Sequence, residues 1–143
     1  LDQGGSVILM SHMGRPKGKD LKLSLRPVAE RLEKLLGQRV EFVPDSQGRE
    51  VEEAAKKLKP HEVLLLENLR FYPEEEKPEK NPEFAKFLAT LGDLYVDDAF
   101  ACAHRAHSSI VKVAEYFPKD KRAMGFLIEK EVEVLSGILT DPE

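Results

Sequence analysis

The chain has 143 residues, 41% of them hydrophobic and 34% charged, enough apolar mass for one domain core and too much for a disordered polar tract. Its 22 basic and 26 acidic side chains leave a formal charge of −4, which argues against the basic face that sequence-independent nucleic-acid binding needs. No apolar run nears the ~18 residues of a membrane helix, no basic and apolar leader opens the chain, and the single Cys102 excludes an intrachain disulfide. The expectation is a cytoplasmic protein with neither a nucleic-acid nor a membrane partner.

Leu1-Asp2-Gln3-Gly4-Gly5 begins without methionine, and its glycines read as the stop of a helix whose body is absent. Asp141-Pro142-Glu143 follows directly on a helical pattern, so a piece of a longer protein is expected. Val7-Ile8-Leu9-Met10 predicts a buried strand. Ser24 is placed to cap a helix from Leu25 to Leu36, with Val28, Leu32, Leu35 and Leu36 on its apolar face and Gly37 as its stop. Arg39 to Val43 predicts a second strand, and Arg49 to Leu58 a helix with Val51, Ala54, Ala55 and Leu58 on one face.

Glu62 to Leu66, apolar throughout its last four positions, predicts a strand covered on both sides. The acidic, proline-bearing stretch from Pro73 to Lys80 reads as a solvated loop. Asn81 and Pro82 announce a helix from Glu83 to Leu91, which Gly92 would stop, and Leu94-Tyr95-Val96 supplies a fourth strand. Ser109 to Tyr116 reads as helical, and Leu127 to Leu139 as a helix with Leu127, Val134, Leu135, Ile138 and Leu139 apolar. Strands alternating with helices predict an α/β fold: an open parallel sheet with helices on both faces, a Rossmann-like three-layer arrangement.

Ligands of open α/β sheets sit beyond the carboxyl ends of the strands. There Arg15 follows the first strand, Arg70 the third and Arg105 the fourth, with His12, His104 and His107 close by in sequence. Three guanidinium groups on one rim form a site for phosphate or carboxylate. The alternative for each arginine taken alone is a partner carboxylate on the surface. Gly14 and Gly18 let a loop approach a ligand but match neither the phosphate-loop nor the dinucleotide fingerprint.

His104 and His107 with Asp97 or Asp98 lack further ligands at a metal-binding spacing, so no metal site is expected. Cys102 reads as a small packing residue rather than a nucleophile. Ser108 and Ser109 are placed to cap the helix that follows, whose N-terminus would face a bound anion. Of Asp97 and Asp98, one is expected to turn into the junction between strand and loop.

Four segments in order carry a more specific signal: Ser11-His12-Met13-Gly14-Arg15-Pro16, Glu67-Asn68-Leu69-Arg70-Phe71, Asp98-Ala99-Phe100 with Ala103-His104-Arg105-Ala106-His107-Ser108-Ser109, and Gly125-Phe126-Leu127-Ile128-Glu129-Lys130-Glu131. Together they resemble the phosphoglycerate kinase family, over essentially the whole chain. The resemblance implies that His12, Met13, Gly14, Arg15, Arg70 and Arg105 line a site for 3-phosphoglycerate or 1,3-bisphosphoglycerate. His104 and His107 would belong to the surrounding basic patch, and Glu131 to contacts across a hinge.

It further implies that residues 1–124 are part of an N-terminal substrate-binding domain and residues 125–143 the start of an interdomain helix. The partner would be a C-terminal nucleotide-binding domain, and the complete enzyme, a monomer, would use Mg2+ with ATP or ADP. Neither cofactor would bind these residues alone, and the chain by itself would be inactive. Ala101 and Asp97 depart from the family, which usually has glycine at the first position and often asparagine at the second. The family's first strand, with an aspartate, an asparagine and another arginine, would lie upstream of Leu1. Two other readings share the layered sheet: a non-catalytic anion-binding module, and a dehydrogenase-like cofactor domain whose glycine fingerprint is missing.

Overall fold

A computed structural model describes residues 1–140, the last three as helix backbone only. Five strands, β1 (Val7–Leu9), β2 (Val40–Val43), β3 (Val63–Leu66), β4 (Tyr95–Asp97) and β5 (Arg122–Met124), alternate with helices α1 (Arg26–Leu36), α2 (Arg49–Lys57), α3 (Glu83–Ala89) and α4 (Phe126–Thr140). Every pairing is parallel, with β3 between β1 and β2 in one sheet and β4 beside β5 in another.

β3 shows why the fold has three layers. Successive side chains of a strand point to opposite faces, and all four of its apolar residues are buried. Leu64 and Leu66 join Val51 and Ala54 of α2 and Phe84 and Leu88 of α3 in one core. Val63 and Leu65 meet Leu25, Ala29 and Val40 on the opposite face, the side that α1 covers. The α/β fold with helices on both faces is therefore as expected, but the strands do not form one sheet.

The division falls between β1 and β4. The N–H of Val7 donates to Glu62 O on the β3 side, and backbone groups alternate sides along a strand, so those of Ile8 face away from β3. Asp97 O likewise accepts from Gly125 N on the β5 side, which turns the backbone of Val96 the other way. Between these two edges runs a groove walled by Ser6, Ile8 and Met10 on one side and Leu94 and Tyr95 on the other.

Several local expectations need correction. Of the expected face of α1, Leu32 packs half-buried on the core, whereas Val28, Leu35 and Leu36 are exposed, Leu35 to 65%, and Ala29 is the residue the helix buries. Ser24 Oγ accepts the N–H of Arg26, yet its hydroxyl is drawn toward Glu67. Asn81 Oδ1 accepts from Glu83 N as a cap should, but α3 ends at Ala89, where Thr90 Oγ1 bonds Phe87 O, before Gly92 is reached.

The segment after His107 is a π-helical turn, Ser108–Lys112, followed by a 3-10 turn, Val113–Tyr116. On α4 the buried residue is Ile128, while Leu127, Val134 and Leu135 are half exposed. The side chains of Ile138 and Leu139, and all of Asp141-Pro142-Glu143, lie outside the described residues.

Candidate anion-binding site

The exit from β3 organises the site. Glu67 is buried, and its carboxylate accepts from Leu25 N and Asn68 N at 2.8 Å and from Ser24 Oγ at 2.6 Å. Asn68, fully buried, donates through Nδ2 to Met13 O and Leu23 O, both at 2.8 Å. Its Oδ1 accepts the N–H of Arg70 at 3.1 Å, which sets the 3-10 turn Leu69–Phe71. Leu69 N donates to Ser11 O at 3.1 Å. Thus the loop after β1 is fastened to the loop after β3 by main-chain and amide bonds that carry no charge.

Arg70 closes the arrangement. Its side chain is only 9% exposed, its Nη1 donates to Gly14 O at 2.8 Å, and its Nε stands 3.0 Å from Glu76 Oε1. That approach lies off the N–H axis, so buried Nε makes an ion pair without a hydrogen bond. Gly14 has φ of +66°, and a Cβ there would stand 3.1 Å from both terminal carbons of Leu23. Glycine is needed for the backbone twist and for the close approach.

His12, half-buried, is held below the ordinary histidine range first by burial and then by the charges of Arg70, His107 and Arg105, with Glu76 opposing. His107 is buried and shifts down for the same leading reason; Glu76 opposes, while Arg70, Arg105 and His104 reinforce it. His12 and His107 thus each feel the charges of Arg70 and Arg105, with His104 also acting on His107 and Glu76 opposing at both. Both shifts favour the neutral imidazoles near pH 7.

Arg15 and Arg105 are exposed, and among the described residues neither guanidinium has a hydrogen bond or an ion pair. The carboxylate-pairing alternative thus holds for Arg70 alone. Met13 is exposed and contributes its carbonyl to Asn68. Glu131 is half-buried on α4, and its side chain makes no hydrogen bond or ion pair among the described residues. An open groove beside Arg105 and His107 is lined further by Glu76, Pro82, Lys112 and Tyr116.

Among the described residues no three His, Cys, Asp or Glu side chains gather as a metal site. Asp97 Oδ1 accepts from Ala99 N, and Asp98 Oδ1 accepts from Ile128 N, so both aspartates do structural work. Cys102 is a buried free thiol, as a packing residue would be. Ser108 and Ser109 do not cap the turn that follows: their hydroxyls donate to Glu74 O and Glu75 Oε1.

The stretch from Pro73 to Lys80 is correspondingly not all solvated, since Glu75 is 2% exposed. Asn68, Glu75 and Glu76 are the site-building residues that sequence reasoning passed over. The only signal for the first was its place between a buried strand and an arginine. A run of glutamates gives none for the other two.

Comparison with known proteins agrees with this geometry. A family model described as "Phosphoglycerate kinase" matches residues 1–143. The chain is 60% identical over 144 residues to the phosphoglycerate kinase of Moorella thermoacetica, covering 100% of this chain and 35% of that protein. It is 57% identical over 140 residues to that of Gloeobacter violaceus, covering 98% of this chain and 33% of that protein. Among solved structures, phosphoglycerate kinase from Pyrococcus horikoshii superposes with a TM-score of 0.86 at 38% identity, covering 99% of this chain and 35% of that one. The chain therefore spans 33 to 35% of the length of these relatives.

Proposed function

The chain belongs to the phosphoglycerate kinase family, and from that premise we propose that it forms the phosphoglycerate-binding part of a reversible phosphotransferase. The reaction would exchange a phosphoryl group between ATP with 3-phosphoglycerate and ADP with 1,3-bisphosphoglycerate. The observation that carries this reading is the fixing of Arg70 against Gly14 O and Glu76 beside Arg105, His12 and His107.

Phosphoryl transfer relies on positioning and on neutralising charge. Arg15, Arg70 and Arg105 would grip the phosphate remote from the reacting carboxyl, with two-pronged hydrogen bonds that lysine cannot reproduce. His12 would hydrogen-bond the ligand, and Met13 and Gly14 would line its approach. His104 and His107 would add charge once the anion raises their proton affinity. None of these groups bonds to the transferred phosphorus; they hold the acceptor still.

The described residues offer no cluster of metal ligands and the sequence no phosphate loop, so they do not fit the magnesium nucleotide that the reaction uses. On this reading the nucleotide belongs to a second domain of a longer, cytoplasmic and monomeric protein. Residues 1–124 would be the substrate-binding unit, and residues 125–143 would lead toward that second domain, with Glu131 in the contacts between them. The isolated chain would bind substrate weakly and turn nothing over.

Titrating 3-phosphoglycerate while following backbone amide signals tests the proposal. Shifts clustered at Gly14, Arg70 and Arg105 are expected; no shift at millimolar ligand would overturn it. ATP-dependent turnover by the isolated chain in a coupled assay would overturn its second half.

A further inference from the structure

We propose that Glu75 is a positioning residue of this site: its buried carboxylate fixes the turn that carries Arg105 and His107 at a set separation from Arg70. The proposal rests on the phosphoglycerate reading for its ligand but not for its geometry.

Glu75 Oε1 accepts from Ser109 Oγ at 2.6 Å and Oε2 from Ser109 N at 3.0 Å. Its main chain joins the same clasp, because Ser108 N donates to Glu75 O at 2.9 Å and Ser108 Oγ to Glu74 O at 2.7 Å. From behind, Tyr95 Oη donates to Ser109 O at 2.7 Å and lies 3.2 Å from Ile110 O. The turn beyond Arg105 is thus held on two sides. The next residue, Glu76, is the ion-pair partner of Arg70. Two adjacent glutamates therefore tie together two cation-bearing segments 35 residues apart in sequence, Arg70 and Arg105.

Taking a carboxylate out of water is costly, and it persists where its oxygens are fully used. Here both oxygens accept, one from an O–H and one from an N–H. Glutamine could serve only one of these donors and would turn its own NH2 against the other. His107 Nδ1, 3.9 Å from Oε1, lies beyond hydrogen-bond reach, so the carboxylate is directed at the serine rather than the imidazole. The charge of Arg70 favours the ionised form of this carboxylate, against its burial.

The test compares Glu75→Gln and Ser109→Ala, which cut the same bonds from opposite ends, with Asp93→Asn, an exposed carboxylate at the far end of β4, as a control. Affinities for 3-phosphoglycerate and inorganic phosphate are measured on the full chain, beside urea midpoints. Each of the first two variants is expected to weaken both ligands about tenfold, since small misplacements of binding groups are costly. The double variant should lose little more than either alone, because the residues act as one unit. The control should match wild type.

Folded variants that bind both ligands with wild-type affinity would overturn the proposal, whatever their midpoints. If wild type binds phosphate but not 3-phosphoglycerate, the substrate reading falls while Glu75 is still judged on phosphate. If wild type binds neither, the ligand-free chain decides. Glu75→Gln and Ser109→Ala must both shift the Arg105 and His107 amide signals, and unchanged signals would sink the idea.

Discussion

Asp98 Oδ1 accepts the backbone N–H of Ile128 at 3.0 Å, so the aspartate that follows β4 caps the first turn of α4. Gly125 passes so close that a Cβ there would stand 2.3 Å from Asp98 Cγ. Asp98→Ala is expected to lower stability by about 1 kcal/mol, the usual effect of a lost cap. Gly125→Ala should do the same by displacing the carboxylate. Both would appear as a reduced urea midpoint, and adding Gly125→Ala to Asp98→Ala should bring little further loss.

Asn68→Ala removes two donors and an acceptor from the loop junction and leaves Met13 O and Leu23 O without partners. Stability should fall by about 1–3 kcal/mol, the cost of orphaning buried polar groups. Urea denaturation checks the magnitude. Asn68→Asp should be no rescue, since a carboxylate cannot donate to two carbonyls.

Arg70 and Arg15 should separate folding from binding. Arg70→Lys loses the forked contact to Gly14 O and Glu76 and is expected to weaken phosphoglycerate binding by about 1.5–3 kcal/mol, the range for hydrogen bonds to charged groups. Arg15→Ala touches no partner in the fold, so its urea midpoint should match wild type while calorimetric affinity drops.

The pH dependence follows from opposite signs. His12 and His107 have folded pKa values below 6.5, burial leading in both. As pH falls through 6.5 toward those values the unfolded chain takes up protons that the folded one refuses, so stability declines. The groups facing them are Arg70, Arg105, His104, Glu76 and, 3.9 Å from His107 Nδ1, Glu75.

Glu75 is raised above 4.5, by burial first, against the bonds from Ser109 and the charge of Arg70 and with help from Glu76. The cost of its ionisation is present above the folded pKa and disappears as pH falls to 4.5. Urea midpoints should therefore drop between pH 7 and 5.5. His107→Gln should flatten that drop, and Glu75→Gln should flatten only the more acidic limb.

The repeating layers were legible because their signals are local. The run Val63-Leu64-Leu65-Leu66 and the stop at Gly37, with φ of +66°, declare themselves within a few residues. β5 did not, since Arg122-Ala123-Met124 is exposed, short and flanked by lysine and glycine. The side of α1 was misjudged because leucine spacing marks a stripe without saying what covers it, and Leu35 meets solvent. The arginines and histidines were found from their places after strands. Glu75 was not, because its burial depends on Ser109, 34 residues away.

The groove between β1 and β4 gives the molecule a seam. Val63, Leu64 and Leu65 of β3 have a strand on both sides, whereas the inward amides of Ile8 and Val96 face the groove. Regions joined by side chains and loop bonds can open without global unfolding. Deuterium uptake should therefore be slow at Leu64 and Leu65 and fast at Ile8 and Val96. The β4–β5 pair, carrying the turn with Arg105, would then exchange as a cooperative unit of its own, separate from the one that carries Arg70.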